Sequence, residues 1–149
     1  MPRRTALIVV VPEAQPYVFI THVPAHVTIL FPFLDSGDVD EGELRALFAA
    51  CRPFDFVLDR VERFEQGTVW LHPEPSEPFA ALTQAVWARW PDHPPYEGVH
   101  DEVIPHVTVS DEPRDVDVPL PIACRATEVT LIEEAEPGHW VPRLRIALG

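Results

Sequence analysis

The stretch "PAHVTILFPF", residues 24–33, decides how this chain is read, because "IPHVTVSD", residues 104–111, repeats its centre: histidine, aliphatic, threonine, aliphatic. Of 149 residues only seven are histidine, yet His26 and His106 share one four-residue setting, one near each end. In a β-strand, residues i and i+2 project from the same face. His26 and Thr28 therefore point together, as do His106 and Thr108, while Val27, Ile29, Val107 and Val109 turn to the opposite, core side. Residue frequencies give on the order of a few hundredths of such matches per chain by chance. Two matches point to a shared site.

That set of side chains has a chemical use. Splitting a P–O bond needs a base for the incoming oxygen and an acid for the leaving one. Two imidazoles with an ordinary pKa of about 6.5 can fill both roles near neutrality, one neutral and one charged. The hydroxyls can hold phosphoryl oxygens as negative charge builds. No metal is required for this chemistry and no cofactor is expected.

Outward from the motifs, periodicity gives a mixed α+β order. "TALIVVV" (5–11) reads as a buried strand rather than a signal peptide, since its apolar run is short and stops at Pro12 and Glu13. "HVTILF" (26–31), "FDFVLDR" (54–60) and "TVWLH" (68–72) are strands, and another starts near 104. "ACRATEVTLIEE" (123–134) and "HWVPRLRIAL" (139–148) read as two final strands. Asp40 with Glu43 opens a helix over about 40–51, and Ser76 is expected to cap a second over about 76–90, with Phe79, Leu82, Val86 and Trp90 on its inner face. Several links between strands are too short for parallel crossovers, so the sheet is expected to be mostly antiparallel. Residues 1–149 form one domain by size, with nothing rich in Gly or Ser to divide them.

Charge narrows the partners. The net charge is −13, and all eleven basic residues are arginine. Long nucleic acid is bound by neutralising phosphates with cations, so a duplex-binding role is disfavoured. No apolar run reaches the length of a membrane span. Cys51 and Cys124 belong to no metal or disulfide framework, which fits a reducing cytoplasm. A monomer is expected.

Other residues invite a functional role and have a blander one beside it. His22 and His26 are four apart, but Pro24 between them argues against a helical metal pair. The run "DSGDVDEGE" (35–43) fails calcium-loop spacing. Phe33, Tyr96 and Trp140 offer stacking surfaces for a base, with packing the expected role of each. His72 shares a face with Thr68 and Trp70, and His100 lies in the loop leading to the second motif.

The paired "HVTI" and "HVTV", in the contexts "PAHVTILFPF" and "PHVTV", resemble the signature of the 2H phosphoesterase superfamily, especially its bacterial 2′-5′ RNA ligase-like branch. The resemblance spans most of the chain. It implies a bilobal α+β fold, two mostly antiparallel sheets facing each other across a central cleft with helices outside. It also implies metal-independent hydrolysis of a small 2′,3′-cyclic or 2′-5′ nucleotide or RNA-end phosphodiester. Carried over by residue, His26 and His106 are the catalytic acid/base pair, and Thr28 and Thr108 bind the phosphate. His106 is expected as base and His26 as acid. The segments after the first strand and after Thr108 are shorter than the family pattern, which bears on specificity. The competing reading is a non-catalytic nucleotide- or phosphate-binding module using the same cleft.

Overall fold

The computed structural model describes residues 2–99 and 103–149, so His100 lies outside the described residues. Eight strands form among them in chain order: β1 (Thr5–Val10), β2 (His26–Leu30), β3 (Phe54–Arg63), β4 (Val69–Glu74), β5 (Val107–Ser110), β6 (Ile122–Ala126), β7 (Glu128–Glu136) and β8 (His139–Ala147). Two α-helices, α1 (Glu41–Ala49) and α2 (Glu77–Arg89), follow the first motif strand and the β3–β4 hairpin. Between β1 and β2 the chain makes only a short 3-10 helix, Pro12–Tyr17. Pro12 starts it, and Pro16 lacks the N–H that a longer regular helix would need there.

All ladder pairings are antiparallel, and the strands form one hydrogen-bonded order, β6-β3-β4-β5-β2-β1-β7-β8. Where the family resemblance implies two facing sheets, the ladder here is one continuous eight-stranded sheet. Its middle is thin: β2 and β5 meet at a single register pair, Val27↔Val107. Four strands lie on each side of it.

Alternation assigns the faces. Leu7, Val9, Val27, Ile29, Leu71, Val107, Val109, Val129 and Leu131 all enter one buried cluster, together with Leu44 and Phe48 of α1 and Phe79, Leu82 and Val86 of α2. Both helices therefore cover the same face. Val27 and Val107 are wholly buried there, a burial worth about 1.5–3 kcal/mol for each such side chain. A smaller cluster, Ala6, Ile8, Val23 and Ile132, lies apart from it.

Helix starts differ in mechanism. The Asp40 carboxylate accepts a hydrogen bond from the Glu43 backbone N–H at 3.1 Å, as the sequence predicts. Ser76 makes no such side-chain bond: its own backbone is already helical, and its carbonyl instead receives the N–H groups of Phe79 and Ala80.

A second expectation is corrected. Residues 123–134 are not one strand but two, separated at Thr127, with β6 pairing to β3 and β7 to β1 and β8. The reason is visible in which positions are buried. Cys124 and Ala126 face the core at even positions, whereas Val129 and Leu131 face it at odd ones. A single strand cannot change parity without breaking. The strand expected near 104 begins at Val107, so His106 precedes it directly.

One polar contact ties helix to site strand. The buried Thr83 hydroxyl on α2 donates to the Ile29 carbonyl of β2 at 2.7 Å. Thr83→Val keeps the shape and removes the donor. It should lower unfolding free energy by about 1–3 kcal/mol in urea titration, without changing the slope.

Candidate active site

Both motifs sit on the sheet face opposite the helices. Val27 and Val107 point into the helix-covered core, so their neighbours His26, Thr28, His106 and Thr108 point away from it, and all four are half-buried. Antiparallel register about Val27↔Val107 sets His26 level with Thr108 and Thr28 level with His106. Cross-strand neighbours of this kind have Cβ atoms about 4.5–5.5 Å apart. The structure thus brings the four sequence-predicted residues together as two His/Thr pairs related by a local two-fold.

The two imidazoles are anchored identically. His26 Nδ1 lies 2.7 Å from the Pro24 carbonyl oxygen, and His106 Nδ1 lies 2.6 Å from that of Ile104. A carbonyl only accepts, so Nδ1–H is the donor in both, and Nε2 is the nitrogen available to exchange a proton. Each acceptor is the residue two before the histidine, so "P-A-H" and "I-P-H" supply their own orienting group.

Burial pushes both imidazoles below their ordinary pKa, while the carbonyl at Nδ1 acts in the opposite direction. His26 is further depressed by His106 and by His22, so the two motif rings are close enough for one to sense the other's charge. Part of His106's apolar seat is aromatic: Phe64 and Trp70 meet its ring edge-to-face at centroid distances of 5.1 and 5.9 Å. Phe64 in turn stacks on Trp70 at 4.8 Å.

Two cavities open at the pair and share Thr108 and Asp111. The larger, about 430 Å³, is walled by Phe64, Gln66, Thr68, Tyr96 and Ile104 and has His106 in its wall. The smaller, about 100 Å³, contains His26 and His22 beside Ile20 and Pro24. The imidazoles therefore stand diagonally across the β2–β5 seam, one in the wall of each cavity.

Several contributors carry no signal in the sequence patterns. Phe64, Gln66 and Thr68 come from the β3–β4 turn, which is closed by Phe64 N–H to Thr68 and Gly67 N–H to Phe64 bonds. Gly67 has φ +107°, and a Cβ there would come within 2.6 Å of Pro113, so only glycine lets this turn meet the segment carrying Asp111. Tyr96, expected to pack, lines the large cavity instead. Its phenol is hydrogen-bonded to Thr28, with burial raising the phenol's pKa and that bond lowering it. Tyr96 and Glu97 hold φ of 52° and 57°, a left-handed backbone that costs non-glycine residues about 1–3 kcal/mol and is found where a site demands it.

The remaining candidates lie elsewhere. Phe33 is buried and meets Trp90 edge-on at 5.2 Å, and Trp140 packs against Phe31 and the small cluster. His72 Nδ1 is 2.8 Å from Asp59 in an ion-pair geometry. Asp59, His72 and Glu74 offer donor atoms within 4.8 Å of one another, the spacing a metal site would use. Arg60 already sits in that group, bonded to Asp59 and Glu62, and balances its charge.

Comparison with known proteins bears on family and fold. The model of the 2′-5′ RNA ligase superfamily matches residues 13–140. No curated protein matches the chain. Among solved structures, Escherichia coli LigT complexed with 3′-AMP superposes with a TM-score of 0.68 at 20% identity, covering 99% of each chain. TT0787 of Thermus thermophilus gives 0.64 at 21% identity over 97% of each chain. A crystal structure described as a phosphoesterase gives 0.63 at 20% identity over 99% of each. These likenesses establish a shared fold, and the match over residues 13–140 establishes descent: the chain belongs to the 2′-5′ RNA ligase superfamily.

Proposed function

We propose that the protein is a metal-independent phosphodiesterase that hydrolyses a small 2′,3′-cyclic or 2′-5′ nucleotide or RNA-end phosphodiester by two-histidine acid/base catalysis. The observation that carries this reading is the placement of two identically anchored imidazoles diagonally across the β2–β5 seam, each level with the other motif's threonine. In-line displacement at phosphorus needs its base and its acid on opposite sides of the reacting atom. In this reading the four strands on either side of the β2–β5 seam wall the cleft, and the cytoplasm suits the free Cys51 and Cys124.

In this mechanism a phosphodiester sits over Thr28 and Thr108, whose hydroxyls donate to its non-bridging oxygens. One imidazole takes a proton from water through Nε2 as the new P–O bond forms. The other gives its Nε2 proton to the leaving oxygen as the old bond breaks. One water is consumed and a phosphomonoester and an alcohol result. A nucleoside in the larger cavity places its leaving oxygen on the His106 side. His26, under the added repulsion of His22 and His106, is the better candidate to stay neutral. The reading therefore takes His26 as base and His106 as acid, the reverse of the order expected from the sequence. LigT has been crystallised with 3′-AMP, ATP and NADP+, which supports a nucleotide as the kind of ligand this fold accepts.

The test is turnover of 2′,3′-cyclic mononucleotides in the presence of chelator, followed by phosphorus NMR. His26→Ala and His106→Ala should each lower kcat by about 10²–10⁴-fold while leaving the protein folded. A folded variant with near-normal rates overturns the assignment, and tight binding without turnover in the unmodified protein favours a binding module. With catechol cyclic phosphate, whose leaving phenolate needs less protonation, His106→Ala should recover more of its rate than His26→Ala.

A pH dependence follows from the site's burial. Both imidazoles lie below about 6.5 in the folded protein, so kcat/KM should trace a bell whose centre falls below pH 6.5. The same depression means the unfolded chain binds more protons as pH falls through the ordinary histidine range. Stability should accordingly fall on acidification from about pH 7 to about pH 5, and less steeply in the double variant His26→Gln, His106→Gln. Thermal melts across that range check it.

A further inference from the structure

We infer that the site selects a free nucleoside phosphodiester carrying no other phosphate, and discriminates against 5′-phosphorylated nucleosides and RNA ends. This rests on the phosphodiesterase reading of the same site and narrows its substrate class.

Three observations carry it. First, among the described residues neither cavity wall contains an arginine, whereas Asp111 lines both. Glu112 follows it, and Glu65 and Glu97 adjoin the wall residues Gln66 and Tyr96 in the chain. A second phosphate held in the large cavity would thus meet the Asp111 carboxylate and, among the described wall residues, no arginine, His106 being engaged with the scissile group. Such repulsion acts over roughly a Debye length of about 8 Å at physiological salt.

Second, most of the chain's arginines are engaged elsewhere. Seven of the eleven arginines are held in ion pairs. The two on segments adjoining the cavity are also committed: Arg114 lies over the Phe19 ring at 4.0 Å, and Arg63 donates to the Arg114 carbonyl at 3.0 Å. Recognition of an added phosphate ordinarily uses arginine or a run of backbone N–H groups. The scissile phosphodiester needs neither, because one imidazolium and two hydroxyls meet its single charge.

Third, the cavities are unequal. About 430 Å³ fits one nucleoside, being at the low end of ligand sites, whereas about 100 Å³ falls below that range. The small side admits water, not a second nucleotide. Gly67 and Pro113 lock the turn of the large cavity against the Asp111 segment, so the acidic rim is built into the wall.

The experiment compares adenosine 2′,3′-cyclic phosphate with its 5′-phosphorylated form, by kcat/KM at low and high salt. In parallel, calorimetry compares binding of 3′-AMP with adenosine 3′,5′-bisphosphate. The unphosphorylated probe of each pair should be preferred by about tenfold or more at low salt, with the gap shrinking as salt rises. Asp111→Asn should narrow the gap about threefold, and Asp111→Arg should close or invert it. Equal kcat/KM and equal affinity within each pair overturns the inference, as does a preference that neither salt nor Asp111 alters. If neither cyclic probe is cleaved, the catalytic reading fails, while a retained preference for 3′-AMP still upholds the charge selection.

Discussion

Everything at the site depends on one ladder contact, the Val27↔Val107 pairing between β2 and β5. The two strands that carry the motifs are far apart in the chain, and this is the register pair that joins them. Because side chains alternate with a strict period of two, burying both valines in the helix-covered core turns both His/Thr pairs to the other face. A slip of one residue on either strand would send an imidazole into the core and a valine into the cleft. Hydrophobic burial on one face thus enforces polar register on the other. Thr83 reinforces it by fastening α2 to the Ile29 carbonyl on β2.

The second constraint is electrostatic. The imidazoles occupy a partly apolar seat, and burial lowers both pKa values from the ordinary histidine range. The carbonyls of Pro24 and Ile104 fix each ring through Nδ1, leaving Nε2 to the substrate. Around this seat the protein is strongly acidic, with a net charge of −13. In the proposed mechanism this acidic surface disfavours polyanions while the cleft offers a proton and hydroxyls to a single phosphodiester.

The motif residues were legible because a strand's period of two is written in the residues themselves: His26 and Thr28, His106 and Thr108. The strand pairing that unites them is a long-range event with no local signal. Tyr96 was legible only as one of three possible stacking surfaces; its place at Thr28 depends on two consecutive left-handed backbone conformations that non-glycine residues rarely adopt. Phe64, Gln66 and Asp111 belong to turns, whose spatial neighbours periodicity does not reveal. The glycine in "EQGT" between two expected strands was the available clue to that turn. The break between β6 and β7 was readable too, as the parity change from Cys124 and Ala126 to Val129 and Leu131, but continuous β-propensity across Thr127 concealed it.

The central claim, that two equivalently anchored imidazoles offer Nε2 to one phosphate, is tested most directly by nitrogen-15 NMR of the histidine side chains through a pH titration, with and without 3′-AMP. The account predicts that His26 and His106 are both Nδ1–H tautomers when neutral, titrate below about 6.5, and both shift on adding the nucleotide. An Nε2–H tautomer at either histidine, or a nucleotide that perturbs only one of them, would contradict it.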